Sequence, residues 1–147
     1  MTATTYIPKS VFIDTNVLID HLQMRSGHEN ADQILALGKN HTIRLCLSAL
    51  SMADIVYIMR KTIDEKNIKN TFNDWIRHFI ILPVAEISIS DACRSGNPDF
   101  EDAMQLSCAE MEFCHAIITR NKKHFEPYTA IPVFTPEEFL GKIVRNP

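Results

Sequence analysis

Several things are missing from this sequence, and each absence removes a class of protein. Its longest apolar run, Phe79-Ile80-Ile81-Leu82-Pro83-Val84-Ala85, is far too short to span a bilayer. The first residues, Met1-Thr2-Ala3-Thr4-Thr5, lack the basic then apolar pattern of a secretory leader, so a cytoplasmic location with no membrane partner is expected. Glycine is scarce, with four in 147 residues, and there is no Gly-rich phosphate loop, no G-x-S-x-G and no H-E-x-x-H. The four cysteines, Cys46, Cys93, Cys108 and Cys114, include no C-x-x-C pair. Each lies in or beside an apolar run and reads as a reduced core thiol rather than a zinc ligand. A basic excess is missing too: the formal net charge is -3, so a nucleic acid would have to be held by a local basic face or through metal ions. No internal repeat or low-complexity tract is visible.

What is present suits one globular domain over residues 1–147, with residues 1–9 as a loose tail. Hydrophobic residues make up 46% and charged residues 22%, enough to build a core without staples. The stretch from Val11 to Asp20 sets the pattern: a β-prone apolar run, then Asp14-Thr15-Asn16, then a second apolar segment at helical spacing. That is a buried strand feeding a helix. A second helix pattern follows Gly27 and stops at Gly38, and a second strand covers Ile43 to Leu47. Ser48 and Ser51 are candidate caps for a helix reaching about Lys61.

The apolar spacing of Ile68, Phe72, Trp75, Ile76 and Phe79 predicts a helix from Ile68 to Ile81, with Trp75 in the core and His78 near the surface. Val84 to Ser88 reads as a short strand or connector before a helical turn through Ala92 and Cys93. Asn97 and Pro98 mark the start of a helix through Met111. Ala116 to Thr119 and Ile131 to Phe134 are the last strands, and Thr135-Pro136-Glu137-Glu138 opens a capped terminal helix. Alternating strands and helices predict an α/β sandwich with a mostly parallel central sheet.

In such a fold Asp14 ends a strand, where open α/β sheets place their ligands. A lone acid there also serves as a helix cap, and Asp54, near the start of its helix, also suits the helix dipole. Asp99, Glu101 and Asp102 put three acids into four positions, which is more negative charge than a dipole needs. Clustered carboxylates favour a hard divalent cation such as Mg²⁺ or Mn²⁺, so these acids form a metal-site hypothesis, beside the plainer reading of a solvated acidic cap.

Four segments together resemble the signature of PIN-domain ribonucleases, above all the small bacterial VapC-like toxins. They are Phe-Ile-Asp-Thr-Asn-Val-Leu-Ile-Asp at 12–20, Leu-Ser-Ala-Leu-Ser-Met-Ala-Asp at 47–54, Asp-Phe-Glu-Asp-Ala at 99–103 and Ile-Thr-Arg-Asn-Lys-Lys-His-Phe at 118–125. The resemblance implies a three-layer α/β/α PIN-like sandwich and divalent-metal-dependent hydrolysis of RNA phosphodiesters, with one or two Mg²⁺ or Mn²⁺ ions. Under it, Asp14 and Asp102 hold metal with Asp99 as an auxiliary carboxylate, and Asp54 stands where the family usually has Glu. Asn121 stands where the family often has Asp, which removes one charge. Asn16 and Thr119 are supporting residues; Arg120, Lys122 and Lys123 are the expected RNA contacts, and His124 is expected at the loop surface. An antitoxin partner and a homodimer are further implications of the resemblance. The rival expectations are a non-catalytic RNA-binding PIN domain and, from another class, an aspartyl-phosphate phosphatase or receiver-like domain with Asp14 as nucleophile.

Overall fold

The computed structural model describes residues 7–144. Five strands form one sheet: β1 (Ser10–Ile13), β2 (Arg44–Ser48), β3 (Ile80–Leu82), β4 (Ala116–Ile118) and β5 (Val133–Phe134), in the order β3-β2-β1-β4-β5. Every neighbouring pair is parallel. The helices are α1 (Thr15–Gln23), α2 (His28–Lys39), α3 (Ala49–Ile58), α4 (Glu65–His78), α5 (Glu86–Arg94), α6 (Phe100–Met111) and α7 (Pro136–Val144). Two short 3-10 turns, Lys122–His124 and Glu126–Tyr128, link β4 to β5. Among the described residues, no helix is long and apolar enough to cross a membrane.

The two faces of the sheet are written in the alternation of its strands. Val11 and Ile13 of β1, Leu45 and Leu47 of β2 and Ala116 and Ile118 of β4 join one buried cluster, together with Val17, Ile34, Ile55, Trp75 and Phe139 from the helices. Phe12, Cys46 and Ile117, one step along each strand, enter a second cluster with Leu106, Cys108, Ala109 and Phe125. Both faces are covered, which is why these strands are apolar throughout rather than alternating with polar residues. The result is the expected three-layer α/β/α sandwich.

Several boundaries differ from the sequence expectation. Ile80 to Leu82 is not the end of a helix; it is the edge strand β3, aligned with Cys46, Leu47 and Ser48 of β2. The helical spacing continues through Phe79, but pairing with β2 outweighs that local period. Glu86 to Ser88 is the first turn of α5 and not a strand. Its Ile87 and Ile89 stay exposed while Ser88 and Ala92, four apart, are buried, so this helix packs through small residues rather than through its isoleucines. Helix α3 stops at Ile58, short of Lys61, with Met59 as its C-cap. Cys93 is exposed, unlike the other three cysteines, because it lies on the outer side of α5.

Gly38 does not stop α2; it lies inside the last turn. A Cβ there would come within 2.8 Å of the Phe79 ring and 3.0 Å of Leu45 Cβ, so its role is close packing. The chain reverses instead at His41, which has φ 62°. At α6 the cap is Asp99 rather than Asn97: its carboxylate accepts from the Asp102 amide at 3.0 Å. Asn97 stiffens the approach, accepting from the Asp99 amide and donating to the His124 carbonyl. The capping box at α7 is as expected, with Thr135 and Glu138 each accepting from the other's amide. Of the expected tail, residues 1–6 lie outside the described residues.

Candidate functional site

All strands run the same way, so their carboxyl ends share one edge of the sheet. Asp14 follows β1 there, α3 starts directly after β2, and Thr119 to Asn121 follow β4. Asp14 is 5% exposed, and both its oxygens are used: one accepts from the Thr15 amide at 2.8 Å, the other from the Thr119 hydroxyl at 3.0 Å. Burial raises its pKa to about 6, the negative charge of Asp102 adds to the rise, and the Thr119 hydrogen bond opposes it. Asp102 is itself raised by burial and by Asp99.

A buried polar bracket ties together the three helices that carry the acids. Thr15 Oγ1 and Ser51 Oγ lie 2.7 Å apart, and Gln105 Nε2 donates to both, at 3.2 and 3.1 Å. Thr15 follows Asp14, Ser51 precedes Asp54 by one helical turn, and Gln105 follows Asp102 by one turn. Each bracket residue is therefore rigidly linked to an acid. Nothing in the residue pattern marked Gln105, whose partners lie far away in sequence.

Asp54 keeps one buried oxygen, Oδ2, that has no hydrogen-bond partner among the described residues. Glu101 faces it. Its contact with Asp54, then desolvation and the charges of Asp54, Asp99 and Asp102, push the Glu101 pKa up to about 8. Glu101 was counted among the clustered acids but was not singled out as a site residue; only the tertiary approach of α3 to α6 reveals it. His124 lies at the loop surface as expected, with 41% of its side chain exposed, and its Nδ1 stands 3.0 Å from Asp102 Oδ2. Ligand atoms of Asp99, Asp102 and His124 all fall within 4.8 Å of one another.

The supporting and basic residues divide. Thr119 binds Asp14 and also accepts from the Asn121 amide at 3.1 Å, whereas Asn16 makes no side-chain hydrogen bond among the described residues. Asn121 contributes its carbonyl to the His124 amide and so shapes the turn that carries His124. Arg120 is drawn back to the buried Asp20, with Nε 2.8 Å from Oδ2, and its charge also reaches Asp14. Lys122 pairs with Glu138 at 3.1 Å. Lys123 is exposed and has no ion pair among the described residues; beside it Asn97, Pro98, Asp99, His124 and Tyr128 line a cleft of 320 Å³.

The donors fit a hard divalent cation. They are carboxylate oxygens with one imidazole, they raise one another's pKa values, and one of them is buried without a partner. Asp102 belongs to both groups: its charge reaches Asp14, and its ligand atom clusters with those of Asp99 and His124.

A parallel α/β sandwich with several acids gathered at the carboxyl edge of its sheet defines a class of ligand-binding and hydrolytic domains. Within it the assignment is specific: the PIN-domain family model matches residues 10–123, and this chain belongs to the PIN-domain family. No curated protein matches the sequence. Its fold is similar to VapBC2 from Rickettsia felis bound to a promoter DNA fragment, at 13% identity and TM-score 0.64, covering 86% of this chain and 98% of that one. DNA-bound VapBC from Salmonella typhimurium gives 18% identity and TM-score 0.64, covering 86% and 98%. A toxin-antitoxin complex from Klebsiella pneumoniae gives 23% identity and TM-score 0.60, covering 86% and 97%.

Proposed function

We propose that this protein is a divalent-metal-dependent endoribonuclease and the toxin of a toxin-antitoxin pair. The observation that carries this reading is the meeting of acids from three distant segments, Asp14, Asp54 with Glu101, and Asp102, around a polar bracket at one edge. Asp14, Asp102 and Asp99 would hold Mg²⁺ or Mn²⁺, with His124 beside them and Asp54 and Glu101 on the opposite flank. Such an ion supplies Lewis acidity toward a phosphodiester and its attacking water.

The protein's own residues do the rest. Thr119 and the Thr15 amide fix both Asp14 oxygens, which sets the direction of its remaining lone pairs. Glu101, whose pKa is pushed up to about 8 by its contact with Asp54, holds its proton at neutral pH and keeps it beside the site. His124 holds Asp102 at 3.0 Å and restricts its rotation. Lys123, exposed and without an ion pair among the described residues, would meet a backbone phosphate, while Lys122 and Arg120 would first have to leave Glu138 and Asp20.

An antitoxin partner draws on the complexes formed by the structural neighbours. An apolar cleft of 460 Å³ between α3 and α4, lined by Val56, Ile63, Ile68 and Phe72, offers such a partner a place for an amphipathic helix. Co-expression with a candidate antitoxin should give a complex that Val56→Glu weakens. A homodimer is part of the same reading, and sedimentation of the purified chain tests it.

Incubation of the protein with structured RNA decides the main claim. Cleavage should need Mn²⁺ or Mg²⁺, stop with EDTA and fall by about 10²-fold or more in Asp14→Asn. Binding without cleavage under every metal condition would favour the non-catalytic RNA-binding reading, which the neutral Asn121 supports. For the aspartyl-phosphate reading, an acyl-phosphate on Asp14 would show by mass spectrometry; the two hydrogen bonds on that carboxylate argue against it.

A further inference from the structure

The opposite end of the sheet carries a second cavity, of the opposite charge. Lys9 stands just before β1, Arg44 opens β2, and Arg77 and His78 lie at the end of α4, just ahead of β3. With His41 from the loop between α2 and β2, these residues line a cleft of 540 Å³ over the amino ends of the strands. That volume lies within the range of about 300–1,000 Å³ typical of small-ligand pockets. Every titratable side chain lining it is basic, in a chain whose net charge is -3. Arg44 is matched by Glu112 at 2.8 Å and His78 by Asp74 at 3.2 Å, both acids lying outside the lining. Lys9, His41 and Arg77 are exposed and have no ion pair among the described residues. Ile76, 59% exposed, adds an apolar wall.

We propose that this cleft is a nucleotide-binding site, with Lys9 and Arg77 on the phosphate and Ile76 against the base. The charges select an anion. The planar Arg77 guanidinium suits a phosphate's paired oxygens, and the apolar wall favours a ligand with a flat ring over a bare carboxylate. The site is separate from the acidic edge, because in a parallel sheet the amino and carboxyl ends of the strands lie on opposite sides of the domain. Its nucleotide is either one unit of an RNA strand or a free mononucleotide.

The test measures binding in EDTA, so it does not depend on cleavage; a failed nuclease assay and a failed cleft assay are therefore distinguishable. A fluorescein-labelled single-stranded RNA of about twelve nucleotides, a length that spans several phosphates, is titrated at several salt concentrations. AMP is titrated separately and followed by amide NMR shifts. The expected result is that Lys9→Glu/Arg77→Glu weakens RNA binding about tenfold or more. The slope of log K against log salt should fall by roughly 0.7, for the one phosphate the two side chains share. Lys9→Gln/Arg77→Gln should lose less, and both variants should melt like the parent, since the two side chains are exposed. AMP shifts confined to residues 41–44 and 76–80, with RNA affinity unchanged in the variants, would assign the free nucleotide as the source. Unaltered RNA affinity and salt slope together with no AMP shifts in the cleft would overturn the proposal.

Discussion

The two ends of the sheet differ from the slab between them in how completely their groups are satisfied. In the slab, Phe12, Leu45 and Ile117 lie within apolar clusters and are sealed from water. At the carboxyl edge, Asp54 Oδ2 and Gln105 Oε1 are buried without hydrogen-bond partners among the described residues, while Asp14 is repelled by Asp102, and Glu101 by Asp54, Asp99 and Asp102. At the amino edge Lys9 and Arg77 have no ion pair among the described residues, the Arg77 charge reaching only as far as lowering the Asp74 pKa. The middle is satisfied internally, whereas both ends hold charge at a cost in stability that a bound counter-charge would relieve.

The most severe way to break this arrangement is through the slab. Phe12→Ala would empty a fully buried ring between two layers and should cost about 3–5 kcal/mol, lowering the urea midpoint and disabling both ends together. Asp14→Asn should separate stability from activity. Cleavage should fall on the order of 10²–10³-fold, while the metal-free protein should melt higher at neutral pH, because the amide oxygen still accepts from Thr15 and the new NH₂ can donate to Thr119 Oγ1, without the buried charge. A fall in melting temperature on Asp14→Asn would contradict the contrast between slab and edge.

The same contrast has a pH signature. Folded Asp14 has its pKa raised from 3.8 to about 6, so its contribution is fully present below the lower value and is lost as pH rises through the upper one. The loss is bounded at about 3 kcal/mol, from about 1.4 kcal/mol per unit. Glu101 acts in the same direction at higher pH. Thermal melts of the metal-free protein should therefore decline from about pH 4 to 8. Mn²⁺ should restore stability at the alkaline end, and Asp14→Asn should flatten the first part of the decline.

These features were not equally legible in the sequence. The step from the Val11–Ile13 strand to Asp14 is local, since an apolar run interrupted by an acid and resumed at helical spacing needs no tertiary information. Asp102 and Asp99 could be placed for the same reason, at a helix start behind Asn97 and Pro98. Strand β3 could not be read, because Ile76 and Phe79 continue a helical period that only the vacant edge of β2 overrides. Glu101 became visible only when α6 brought it to Asp54, and the pairing of Arg120 with Asp20 joins residues a hundred positions apart. Proximity of like charges is a tertiary property, and a linear pattern records which acids exist but not which of them face each other.

The smallest predicted effect probes a single hydroxyl. Thr119 Oγ1 donates to Asp14 and accepts from the Asn121 amide, so it links the first acid to the turn that carries His124. Thr119→Val keeps the shape and removes both bonds, leaving a buried carboxylate with one fewer donor. Metal-free stability at pH 7 should fall by about 1–2 kcal/mol, and the Asp14 pKa should rise further because the hydrogen bond that opposed burial is gone. Cleavage should drop about 10–100-fold, the range for residues that orient a metal ligand, with the acid limb of its pH profile displaced upward. Thr119→Ser restores the hydroxyl and should recover most of both losses. If Val and Ser behaved alike, the methyl group would be the part that matters, and Asp14 would owe its direction to the Thr15 amide alone.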